Sequence, residues 1–385
     1  MKEFKSILAA FNNVNFAARQ AALATVVKVR GSSYRSPGAR MLITDDGKWV
    51  GSISGGCLEG DALRKARQVM TSGEPKTVTY DTREESNQNL GIGLGCNGVI
   101  DVLIEPITAH KNSILFFKQL VEKNQPAALA TVFQGLSGIG ETLLINEDKS
   151  VISQVSNPAL SDLIVEDLLN VFNTRVSHAK TFLVSGIEYE VFLELVQPSV
   201  SLVIFGGGFD ARPVSQMAKA LGWSVEVTDE CVAHIAPVFF PQVDKLSLCH
   251  RDFIDRDFKI TPFTACVLMS HNYEYYRDVL KKIIQTEAPY IGILGPRKRF
   301  DKMLEEFKRD RFELTDEQML RIHSPIGLDI GAEAPDEIAL AIVAEIQSKF
   351  SNRSGGFLKA RNGPIHQRQQ ETDQVYKFVY RSENK

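Results

Sequence analysis

Residues 199–230 read SVSLVIFGGGFDARPVSQMAKALGWSVEVTDE. An apolar, β-branched run ends in three glycines. A helical stretch follows, opened by Arg212–Pro213, where proline is tolerated in a first turn. A second apolar run then ends on Asp229. Gly206, Gly208 and Ala211 fit G-x-G-x-x-A, and the acid follows the turn by about 20 residues. A glycine pattern alone says little. Strand, glycine turn, helix, strand and acid in this order specify a Rossmann-type doubly wound α/β domain. The same turn also serves packing, so the fold does not by itself assign a dinucleotide. Gly206, Gly207, Gly208 and Asp229 are the candidate binding residues. Two later runs, TACVLMS (264–270) and YIGILG (290–295), read as further strands. Their following loops carry His271 and Arg297, and ligands of doubly wound sheets sit beyond the carboxyl ends of strands. His271 either titrates near neutrality as a base or ligand, or hydrogen-bonds across its own loop. Arg297 either draws in phosphate or is simply solvated.

Working back from residue 199, the chain repeats itself. AALATV stands at 21–26 and again, letter for letter, at 127–132. The first copy continues into LITDDGKWVGSIS and the second into LINEDKSVISQVS, each a strand–turn–strand signal followed by a helical stretch. The closing runs VIDVLIEP and YEVFLELVQP also correspond. Residues 1–198 therefore read as a duplicated α+β unit. Apolar spacing predicts its first helix over residues 4–20. Residues 199–350 form the Rossmann-like domain, and 351–385 a polar tail.

The two copies differ in chemistry. Only the first carries RGSSYRSPGAR (30–40), GSISGGCLEG (51–60) and GIGLGCNG (91–98). A requirement of the fold alone would survive in both copies, so Cys57, Cys96 and the 30–40 loop point to a site. Both cysteines follow glycine. Thiolates are soft ligands suited to copper, zinc, iron–sulfur or molybdenum; the alternative is two small core residues. Gly55 and Gly56 bare the backbone beside Cys57 for a bulky group or a sharp bend. Ser32, Ser33, Arg35 and Arg40 combine hydroxyls, amides and guanidiniums suited to an anion, phosphate above all, or else form a polar hairpin loop.

Composition sets the outer limits. The 385 residues are 44% hydrophobic and 24% charged, with net charge −3. No basic stripe points to nucleic acid, and no apolar run approaches the ~20 residues of a membrane span. The N-terminus lacks a signal-peptide pattern. Five cysteines without paired spacing predict a reduced, cytoplasmic protein. No Ser–His–Asp order, Walker loop or H-E-x-x-H appears, which suits a protein that handles a cofactor better than one that converts a substrate.

In order along nearly the whole chain, GSSYRSPGARMLI, GSISGGCLE, GLGCNG, GGGFDARPVSQMAKALGW, MSHNYEYYRDV, YIGILGPRKR and RIHSPIGLDIGAEAPDEIALAIVAEI resemble the XdhC/CoxI family. The resemblance implies an N-terminal XdhC/CoxI domain and a C-terminal Rossmann domain. It implies an accessory factor that binds molybdenum cofactor (molybdopterin) and delivers it to xanthine dehydrogenase or a related molybdenum hydroxylase. It further implies Cys57 and Cys96 as cofactor-binding positions, Cys57 as metal contact, and a cysteine desulfurase as a second partner; a homodimer is expected because duplicated domains often self-associate. The competing reading is an NAD(P)-dependent oxidoreductase that uses the Rossmann turn, with His271 as base. It leaves the chemistry peculiar to the first copy unexplained.

Overall fold

The computed structural model describes residues 1–83, 98–110 and 112–362. They fall into two compact units that divide in sequence between Pro198 and Ser199.

In the first unit the order α1 (Lys2–Asn12), β1 (Ala21–Gly31), β2 (Arg40–Thr44), β3 (Trp49–Gly51), α2 (Glu59–Ser72), β4 (Lys76–Asp81), β5 (Gly98–Ile107) recurs in full. The second pass runs α3 (Ile114–Lys123), β6 (Ala127–Gln134), β7 (Thr142–Asn146), β8 (Val151–Ser153), α4 (Pro158–Thr174), β9 (His178–Val184), β10 (Ile187–Val196). The first helix is shorter than its apolar spacing predicts: it closes at Asn12, and turns occupy residues 13 and 16–18. Asparagine pairs compete for backbone hydrogen bonds and end helices readily.

The two antiparallel sheets have matching orders, β3-β2-β1-β5-β4 and β8-β7-β6-β10-β9. Their registers match too: Ala21 faces Thr44 and Ile107, and Ala127 faces Asn146 and Val196. AALATV is continuous and small because both faces of its strand are covered. Ala22, Ala24 and Val26 pack with Ala62, Ala66 and Val69 of α2. Ala128, Ala130 and Val132 pack in the same way with Leu160, Ile164 and Leu168 of α4. Ala21, Leu23, Ala127 and Leu129 share one inner core with Phe4 and Ile7 of α1 and Phe116 and Phe117 of α3.

The copies grip each other reciprocally. Each sheet has a one-residue bulge at the equivalent place, Val27 and Phe133. These two residues pack together with Leu103 and Phe192. A Cβ on Gly38 would lie 2.6 Å from Oε1 of Glu194, and one on Gly140 would lie 3.5 Å from Oε2 of Glu105. Glu105 and Glu194 hold equivalent positions, opposite Leu23 and Leu129.

Their partners differ. Arg40, 2% exposed, donates to both carboxylate oxygens of Glu194, at 3.2 and 2.6 Å. Its guanidinium lies 4.8 and 5.1 Å from the ring centres of Phe4 and Phe117. Thr142 stands where the second copy would need that arginine, and Glu105 accepts a 2.8 Å hydrogen bond from the Ser113 hydroxyl. Burial pushes the Glu105 carboxyl up, against the Ser113 bond and the Arg40 charge, to about 7 from an ordinary 4.5. The folded chain thus holds this proton more tightly than the unfolded chain does. Its contribution to stability is expected to fall as pH rises from about 4.5 to about 7, and to level off above that. Denaturant titrations across that range should show the slope in the native protein and its loss in Glu105→Gln.

The second unit comprises β11 (Ser201–Phe205), α5 (Ala211–Ala220), β12 (Ser224–Asp229), β13 (Lys245–Leu248), α6 (Ile254–Asp257), β14 (Thr264–Leu268), α7 (Tyr273–Ile283), β15 (Tyr290–Ile293), α8 (Arg297–Arg309), α9 (Asp316–Met319), β16 (Ile322–His323) and α10 (Pro335–Phe350). Its parallel strands run β13-β12-β11-β14-β15-β16. This is the doubly wound dinucleotide-type order 3-2-1-4-5-6, with the switch point between the first and fourth strands. Val214 and Ala218 of α5 and Ile342 and Ile346 of α10 pack into the core on one face, and Val279 of α7 and Met303 of α8 into that on the other. Among the described residues, no helix is long and apolar enough to cross a membrane.

Candidate functional site

Cys57 lies in the turn between β3 and α2, with its thiol exposed. The turn folds around a single carboxylate. Glu59, the first residue of α2 and 5% exposed, reaches back into it. Its Oε1 accepts from the hydroxyl of Ser52 (2.7 Å) and from the amides of Ile53 (3.1 Å), Ser54 (2.9 Å) and Gly55 (3.1 Å). Its Oε2 accepts from the Gly56 amide (2.8 Å) and the Ser54 hydroxyl. Ser54 Oγ in turn accepts from the Leu58 amide at 2.8 Å. Burial would raise the Glu59 carboxyl, but the bonds from Ser54, Ser52 and the main chain outweigh it and hold the group at about 2. Successive N–H groups converging on one point make an anion-binding nest. Here the chain's own glutamate fills it.

Gly55 has a φ of 93°, a backbone conformation that favours glycine, and it lies against Tyr34. A Cβ there would lie 2.6 Å from Cδ1 of the Tyr34 ring, which is 71% exposed. Tyr34, Ser33, Ser54, Cys57, Leu58, Thr82 and Ile100 line a depression of about 10 Å³, enough for about one water. Among the described residues, then, no enclosed space beside the Cys57 thiol holds a larger ligand. Among the described residues, no group of three or more His, Cys, Asp or Glu side chains is placed to hold a metal ion.

The other first-copy candidates are distributed unevenly. Ser32 is exposed, and Ser33 donates to the Arg35 carbonyl at 2.8 Å. Arg35 pairs with Glu3, whose carboxyl is raised by burial against that charge. Arg40 is enclosed with Glu194 and turned away from solvent, so it serves the core rather than an external anion. Cys96 lies outside the described residues.

In the second unit the glycine turn joins β11 to α5. Asp229, 3% exposed, accepts from the Gly207 amide (2.9 Å), the Cys231 amide (2.9 Å) and His234 Nδ1 (3.0 Å). A Cβ on Gly207 would lie 2.5 Å from the His234 carbonyl oxygen. The segment after β12 thus covers the acid that would meet a ribose. Gly208 is the open member of the turn. A Cβ there would have His271 Nε2 as its nearest neighbour, at 3.7 Å, so His271 and the turn do come together. Arg297 opens α8 and is exposed. It is Arg299 whose guanidinium reaches the His271 carbonyl, at 3.5 Å, while lying 4.3 Å from the Tyr276 ring centre.

Glu59 and Tyr34 are functional candidates that sequence reasoning passes over. An acid in the first turn of a helix, directly after a Ser/Gly turn, is the available signal for Glu59.

Comparison with known proteins agrees with this architecture. The model of the XdhC and CoxI family matches residues 17–81, and that of the XdhC Rossmann domain matches residues 202–346. A Bacillus subtilis protein, named as a probable subunit of xanthine dehydrogenase, is 30% identical over 332 residues, covering 85% of this chain and 92% of that protein. The Escherichia coli molybdenum cofactor insertion chaperone PaoD is 24% identical over 328 residues, covering 85% and 83%. A Bacillus halodurans crystal structure described as a xanthine dehydrogenase superposes with a TM-score of 0.74 at 27% identity. It covers 92% of this chain and 97% of its own.

Proposed function

The chain belongs to the XdhC and CoxI family, and from that premise we propose that it is an accessory factor in the maturation of molybdenum hydroxylases, which carries molybdenum cofactor on the Cys57 turn and passes it to an enzyme of the xanthine dehydrogenase type. The observation behind this reading is an exposed thiol on a braced Gly-Gly turn in the first copy, with no cysteine anywhere in the second. The cofactor is cargo here. A carrier must hold a soft metal centre and let it go, and a single thiolate over a shallow surface suits both needs. The Cys57 amide has no acceptor among the described residues, so it is available to an oxygen or sulfur atom of the cargo. Cys96 is proposed as a second contact. A cysteine desulfurase is proposed as a second partner, because sulfuration of the molybdenum precedes delivery.

The test is loading. Purified protein is mixed with molybdenum cofactor, freed of excess ligand, and assayed for molybdenum by mass spectrometry and for pterin by fluorescence. Cys57→Ala is expected to lose both signals, and Cys231→Ser, which removes another exposed thiol, to keep them. Loading of Cys57→Ala at the native level would overturn the reading. The NAD(P)-dependent oxidoreductase reading has the strand order and glycine turn in its favour. Against it stands the closure of Asp229 by Gly207, Cys231 and His234.

A further inference from the structure

We propose that Glu59 is the positioning residue of the cargo site: its carboxylate substitutes internally for a bound anion, sets the path of residues 52–58, and leaves the amide of Cys57 as the one donor in the turn directed to the ligand. The proposal rests on the reading of Cys57 as the cargo contact. Its own basis is the bonding of the turn. The amides of Ile53, Ser54, Gly55 and Gly56 all end on Glu59, and that of Leu58 ends on Ser54 Oγ, which itself donates to Glu59. Cys57 sits between these two sets, and its N–H has no acceptor among the described residues.

A bare turn of this kind would attract any phosphate or sulfate through its amides. Filling it with a tethered carboxylate removes that competition. It also fixes the backbone on either side of the cysteine, so the thiol and its own amide keep one relative orientation. The turn is thus specific for what the sulfur binds and indifferent to the anion at the far end of the ligand.

Glu59→Ala tests this, because it removes the side chain's second methylene and its carboxylate, the size and charge of acetate. Loading with molybdenum cofactor is expected to fall by about 10- to 100-fold, as for loss of a group that orients a metal ligand. Added acetate should restore it, whereas chloride at equal ionic strength should not. Iodoacetamide labelling of the unloaded protein, read peptide by peptide, should show the Cys57 rate altered by Glu59→Ala and returned toward native by acetate, with the Cys231 rate unchanged throughout. Native loading by Glu59→Ala would overturn the proposal. So would a loss that acetate does not repair and that accompanies a lowered unfolding midpoint, since that is the signature of a folding defect alone. Native loading by Cys57→Ala would instead overturn the carrier reading itself, so the two failures are distinguishable.

Discussion

Replacing Glu194 by alanine is expected to cost about 3–5 kcal/mol of unfolding free energy, the range for removing one partner of a buried ion pair. Arg40 would stay in the core, 2% exposed, among Phe4, Phe117 and the Gly38 carbonyl. That carbonyl, two aromatic faces and the through-space attraction of Glu3 and Glu105 do not replace a carboxylate that accepts from both guanidinium nitrogens. Removing both charges together is a different case, because well-packed apolar pairs often match or exceed a buried salt bridge. The Arg40→Met, Glu194→Leu double variant should therefore recover most of the loss. Guanidinium titrations of native, single and double variants check this. A single variant as stable as native would mean that the pair is dispensable to the packing of the two copies.

The second large effect is expected at Gly206→Ala. Its φ is 121°, and a Cβ would meet the Ser270 amide nitrogen at 2.4 Å and the Met269 carbonyl carbon at 2.6 Å. Both neighbours are main chain of the segment leaving β14, which cannot rotate away. Backbone strain and overpacking together should cost about 3–5 kcal/mol. Gly208→Ala, with its nearest neighbour at 3.7 Å, should stay within about 0.5 kcal/mol, as surface substitutions do. Trp223 is 4% exposed inside the core of the Rossmann unit, so its fluorescence in a Trp49→Phe background reports that unit's unfolding. Equal stability of the two variants would show that the approach of β11 to the loop after β14 does not constrain the turn.

Much of the architecture was legible in the residues because it depends on local pattern. The repeated AALATV marks a strand covered on both faces. Three glycines followed by a distant acid mark the first crossover of a doubly wound sheet, and the strand order bears this out. The site was harder to read, because its decisive contacts are either long in sequence or set by the path of one turn. Arg40 in a Gly/Ser loop looks like an anion ligand until its counter-charge, 154 residues away, is placed beside it. Asp229 sits where a ribose partner belongs, yet the backbone from Cys231 to His234 folds over it. Glu59 looks like one more exposed helical acid unless the turn before it is known to aim four amides at one point.

The reciprocal grip of the two copies also orders events in time. While the polypeptide is still on the ribosome, the first copy can form its hairpin and close β1 on β5. It lacks Phe133, Phe192 and Glu194, which finish its inner face. At about 5–20 residues per second, the 154 residues between Arg40 and its counter-charge take roughly 8–30 s to emerge. Through that interval Arg40 lacks the carboxylate that hydrogen-bonds it and has only Glu3 and Glu105 of its own copy to offset its charge, beside an apolar sheet face, a vulnerable surface for a half-made protein. Synthesis of the second copy ends that exposure. The duplicate that has no cysteine is thus expected to complete the fold of the one that does.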